Sequence, residues 1–79
     1  MTKIETLEKR IQDGEEYLRV RFIPKEERTD DEQRAFLRFK IARRMYDLNL
    51  ELKPSAEEYL DILREQLDEQ ARWETEGGQ

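Results

Sequence analysis

Three short stretches of this chain read as the starts of helices, and their spacing limits what it can become. Thr2-Lys3-Ile4-Glu5, Thr29-Asp30-Asp31-Glu32 and Ser55-Ala56-Glu57-Glu58 each place a hydroxyl residue three positions before a glutamate. In such a capping box the hydroxyl accepts from the third backbone N–H of the helix, and the glutamate reaches back to the N–H of the cap. The boxes recur about 26 residues apart in a chain of 79. The segments between them do not match one another, so they are not a repeat. The pattern predicts an all-α, three-helix bundle with helices over 3–22, 30–51 and 56–74. It forms one domain over 1–74, followed by a disordered tail over 75–79.

The first segment carries a narrow apolar seam. Ile4, Leu7, Ile11, Leu18 and Phe22 fall within about 60° of arc on a helix turning 100° per residue. Gly14 interrupts the segment and costs about 1 kcal/mol relative to alanine in a helix interior. A strand over Tyr17 to Phe22 is the competing reading, since Leu18, Val20 and Phe22 alternate with Arg19 and Arg21. No other segment offers such a strand a partner, and Leu18 and Phe22 continue the helical seam in register. Gly14 itself lies at the edge of that seam, where a missing side chain lets another helix approach closely. Pro24 then ends the segment, because it disfavours the helical conformation at Ile23 and lacks a donor.

The second segment is apolar on two sides. Leu37, Ile41, Met45, Leu48 and Leu52 share a sector of about 80°, and Ala35, Phe36, Phe39, Ala42, Tyr46 and Leu50 share another of about 120°. A helix apolar over most of its circumference needs two sets of neighbours. The third segment presents Ala56, Leu60, Leu63, Leu67 and Ala71 in a heptad-like row flanked by Tyr59, Ile62 and Trp73, with Glu57, Asp61, Glu65 and Glu69 on an acidic side. The connection at Lys53-Pro54 is short, which predicts antiparallel neighbours. The expected arrangement is therefore antiparallel and up-down-up, with helix 2 central.

Composition narrows the chemistry. Cysteine and histidine are absent, which removes disulfides, thiol nucleophiles and the commonest general base and metal ligand. The single serine caps a helix, no glycine-rich phosphate loop occurs, and adjacent carboxylates such as Glu15-Glu16 point about 100° apart on a helix. The chain thus reads as non-enzymatic, with no catalytic residue, cofactor or metal. Four carboxylates at i, i+4 spacing suggest at most weak cation binding, and a solvated face is the commoner meaning of such a row. No stretch resembles a membrane span or the apolar core of a signal peptide, so a cytoplasmic protein with no membrane partner is expected.

Charge is unevenly distributed within the net −5. Residues 1–17 sum to −2, residues 18–46 to +4 and residues 47–79 to −7. Pairing inside the fold is the simplest account of this split, and either pole also suits an outside partner. Three expectations follow. The first is a protein–protein interaction module that forms a homodimer through Leu37, Ile41, Met45 and Leu48, the sector most in need of cover. The second is an acidic partner face at Glu57, Asp61, Glu65 and Glu69, meeting a basic protein. The alternative is a small nucleic-acid-associated regulator that contacts phosphates through Arg19, Arg21, Lys40, Arg43 and Arg44, with Lys25 and Arg28 nearby.

Overall fold

The computed structural model describes residues 2–50 and 54–76, without the side chains of 47–50, 75 and 76. It contains three helices, α1 (Lys3–Val20), α2 (Asp30–Leu50) and α3 (Ala56–Glu76), and no strand among the described residues. All three begin where the capping boxes place them. The Thr2 hydroxyl accepts from the Glu5 N–H at 3.1 Å, that of Thr29 from Glu32 at 3.1 Å, and that of Ser55 from Glu58 at 3.1 Å. In the first two boxes the glutamate returns the bond, at 3.4 and 2.8 Å. Each such cap stabilises its helix by about 1 kcal/mol.

Helix α1 runs unbroken through Gly14, so the strand reading of residues 17–22 fails. It ends two residues earlier than the apolar seam suggests. The Arg21 N–H donates to the Tyr17 carbonyl at 2.9 Å, the Ile23 N–H closes a turn on Val20 at 2.9 Å, and the chain extends at Pro24. Phe22, expected on the seam, is 82% exposed, with the Arg21 guanidinium 4.8 Å above its ring. One 3₁₀ turn at Lys25–Glu27 leads to α2.

The centre of the bundle is α1, which packs against both α2 and α3. This corrects the expectation that helix 2 is central. Contacts run in reverse order on both sides of α1: Asp13 meets Arg38, Tyr17 meets Phe36 and Arg19 meets Glu32, while Glu15 meets Arg64 and Arg21 meets Glu57. Where they touch α1, both α2 and α3 therefore run against it, and Tyr46 beside Tyr59 sets the end of α2 against the start of α3. The physical reason is a second face on α1 that hydropathy conceals. Asp13, Tyr17 and Val20 recur at i, i+4, i+7, and the first two meet Arg38 and Phe36 of α2. Asp13 and Val20 are buried, and Tyr17 stacks on Phe36 with ring centroids 4.7 Å apart.

The core gathers Leu7 and Ile11 of α1, Phe39 of α2, and Ala56, Tyr59, Leu60 and Leu63 of α3. Side chains as deeply buried as Phe39, Leu60 and Leu63 each contribute about 1.5–3 kcal/mol. Gly14 sits among them. A Cβ there would stand 2.6 Å from the Phe39 Cε1 and 2.8 Å from the Leu60 Cδ1, so the bare backbone lets the ring and the methyl close over α1. Helices α2 and α3 meet through rings, with Phe39 5.4 Å and Tyr46 5.1 Å from Tyr59. Beyond Leu67 the α3 row leaves the core: Ala71 is exposed and Trp73 is 64% exposed. The helix continues to Glu76, past the expected end at 74, and residues 77–79 lie outside the described residues.

Candidate docking surface

Helix α2 buries one of its two apolar sectors. Ala35 and Phe39 are inside and Phe36, Ala42 and Tyr46 are partly covered, because this side meets the Tyr17 face of α1 and Tyr59 of α3. The described residues of the other sector face outward. Leu37 is 43%, Ile41 57% and Met45 58% exposed, in a row four residues apart that advances about one turn at each step. Leu48, the fourth residue expected on this face, is outside the described side chains. Beside the row lies a shallow depression of about 390 Å³ between α1 and α2, walled by Arg10, Arg38, Ile41 and Met45 and floored by Tyr46 and Tyr59.

The arginine at the edge of this face has a structural task. Asp13 of α1 is buried, and Arg38 binds it with both arms of its fork, Nε to Oδ2 at 3.0 Å and NH2 to Oδ1 at 2.9 Å. Those bonds hold the guanidinium firmly charged, above its ordinary value. Asp13 and Arg38 thus fix the rotation of α2 about its own axis, and with it which sector of α2 faces outward.

The basic side chains expected to contact phosphates are mostly engaged. Arg19 bridges Glu16 and Glu32, and both its hydrogen bonds raise its affinity for the proton. Arg21 grips Glu57 with two nitrogens at 3.2 Å. Arg43 lies 5.9 Å from the Tyr17 ring and Lys40 6.0 Å from that of Phe36. Arg28 closes the end of α1. Its Nε donates to the carbonyls of Ile23 at 2.9 Å and Val20 at 3.2 Å, its NH1 reaches Gln33 at 3.0 Å, and its guanidinium covers Phe36 at 4.2 Å. Lys25 is exposed, and Arg44 is exposed with no ion-pair partner among the described residues.

The acidic set on α3 divides. Glu57 is committed to Arg21, and that bond, followed by a backbone N–H at the helix start, draws its proton affinity below the ordinary glutamate value. Asp61 faces Arg64 one turn on at 3.6 Å, and Arg64 also approaches Glu15 at 3.6 Å. Glu65 is exposed. Glu69 borders a different feature, an open groove between the start of α1 and the end of α3, beside Lys3, Arg72 and Trp73. All four carboxylates are exposed, Glu57 and Asp61 beside arginines and Glu65 and Glu69 with no ion pair among the described residues. Among the described residues no group of three acidic side chains is placed to hold a metal ion, and no helix is long and apolar enough to cross a membrane.

Sequence reasoning found the exposed sector of α2 and the cap residues. It missed Asp13, Tyr17 and Val20, whose period could have been read had charged and aromatic residues been counted as candidates for burial. Searches against protein-family models, curated proteins and solved structures find no match to this chain.

Proposed function

We propose that this chain is a non-enzymatic protein–protein interaction module whose docking surface is the outward sector of α2. The observation that supports this most directly is the exposed row Leu37, Ile41 and Met45 on a helix whose opposite side is buried. Apolar rows of this kind, rimmed by polar residues, mark association sites in proteins of this size. The row is also self-complementary about a two-fold axis at Ile41, so a homodimer through paired α2 helices is the simplest assembly it offers. Sedimentation equilibrium at tens of micromolar tests the reading. A weak dimer that Ile41→Glu dissolves is expected, whereas a dimer indifferent to that change overturns the assignment of the face.

Nucleic-acid association is the alternative, favoured by the exposed Lys40 and Arg44 on one helix. It requires salt-sensitive binding that falls when Arg43 and Arg44 become alanine. A gel shift with duplex and single-stranded DNA and RNA at low salt separates the two readings. No retardation is expected.

A further inference from the structure

The charge around the outward sector of α2 says which partner suits it. Arg34 and Arg44 are exposed on α2 beside the apolar row, and Arg10 of α1 faces it across the shallow depression. None of the three has an ion pair among the described residues, whereas Arg38 is offset by Asp13. A two-fold pairing that sets Ile41 on Ile41 and Leu37 on Met45 aligns like edges of the two helices. Lys40 and Arg44 of one copy then meet their counterparts along one edge. Like charges so placed oppose association. The chain's own acidic helix is no better an occupant, because its apolar residues Tyr59, Leu60 and Leu63 are buried in the core and leave Glu57, Asp61 and Glu65 without an apolar row beside them.

We propose that the α2 sector receives an acidic amphipathic helix, which displaces a second copy of this chain. The inference rests on the reading of this sector as a docking surface and adds the chemistry of the occupant. Leucine-like residues at i, i+4 and i+7 of the incoming helix lie along Leu37, Ile41 and Met45, in the helix-on-helix mode of recognition. Its flanking glutamates or aspartates reach Arg34, Arg44 and Arg10. Salt then acts oppositely on the two assemblies: screening weakens the mixed complex and strengthens the self-dimer.

Two synthetic peptides test this by fluorescence anisotropy. Both are roughly 18 residues long with one leucine row at helical spacing, flanked by glutamates in one and by lysines in the other. The full chain is expected to bind the glutamate peptide at least about tenfold more tightly than the lysine peptide at low salt, with the preference shrinking at about 0.3 M salt. Arg34→Glu with Arg44→Glu, two exposed positions that leave the core intact, is expected to reverse the preference, and Ile41→Glu to abolish binding of both peptides. Equal binding of the two peptides, or a glutamate peptide indifferent to the double reversal, overturns the proposal. If neither peptide binds while an Ile41-dependent dimer persists, the acidic helix is wrong and the docking surface stands. If there is neither peptide binding nor such a dimer, both fail. A labelled single-stranded oligonucleotide that binds as well as the glutamate peptide and ignores Ile41→Glu also overturns the proposal, since the arginines then serve any polyanion.

Discussion

Gly14 of α1 and Phe39 of α2 are in contact so close that a single added carbon would stand 2.6 Å from the ring. Alanine favours a helix interior over glycine by about 1 kcal/mol, yet here the new methyl meets two side chains that are themselves about 1% exposed and have nowhere to retreat. Overpacking of this kind costs about 1–3 kcal/mol. Gly14→Ala is therefore expected to lower stability by about 1 kcal/mol net, a drop of several degrees in Tm for a domain this small. Phe39→Leu in the same chain should recover part of the loss. A rise in the melting temperature of Gly14→Ala would sink the argument.

Removing Arg38 leaves the Asp13 carboxylate buried with no guanidinium beside it. A fully buried pair broken this way loses about 3–5 kcal/mol, but the Arg38 side chain is 48% exposed, so solvent screens the pair and about 1–2 kcal/mol is the expected loss. Arg38→Ala should cost more than the double change Asp13→Ala with Arg38→Ala costs beyond Asp13→Ala alone. A double-mutant cycle in urea with no coupling between the two positions would contradict the role assigned to them.

Arg28→Lys should behave as a loss of function at the end of α1. One ammonium cannot reach the Val20 and Ile23 carbonyls and Gln33 while also covering Phe36, as the planar fork does. A loss of about 1–2 kcal/mol is expected, with faster amide hydrogen exchange at the last turn of α1. Unchanged exchange there would show that the turn holds without the arginine.

Acid should weaken the fold through two glutamates. The Glu32 carboxylate is held below its ordinary value first by the Thr29 backbone N–H and then by Arg19, and Glu57 first by Arg21. A carboxylate depressed in the folded state contributes stability that is complete above its unfolded pKa and is lost as pH falls through the folded one. Denaturation midpoints should therefore hold steady from neutral pH down to the ordinary glutamate range and then decline. In Glu32→Gln with Glu57→Gln the midpoint at neutral pH should be lower and the decline shallower. An acid limb unchanged by the double substitution would exclude these two groups as its source.

Much of this fold was legible before the structure, and the part that was not has a common cause. The capping boxes placed every helix start, and Gly14 was readable as a point of close approach because a glycine at the edge of an apolar seam has few other uses. The central helix was misplaced because only apolar residues were counted as faces. Asp13 belongs to the interior through Arg38, and neither residue announces the other across the 25 positions that separate them. For the same reason α2 looked as though it needed two neighbours, when one of its apolar sectors simply faces outward. Phe22 and Trp73 erred the other way: each has the right residue type, but Phe22 falls beyond the end of α1 at Val20, and Trp73 stands on the rim of the open groove between α1 and α3.

The rings of this small protein are also separately observable by light. All three tyrosines, Tyr17, Tyr46 and Tyr59, lie in the chain of aromatic contacts that joins the helices, while the sole tryptophan lies outside it, 64% exposed in the last turns of α3. Tryptophan emission should thus be red-shifted already in the native state and nearly silent on unfolding, whereas the near-ultraviolet signal of the tyrosines should vanish as the helices separate. A denaturation curve followed at the tryptophan alone would report a protein with no transition at all.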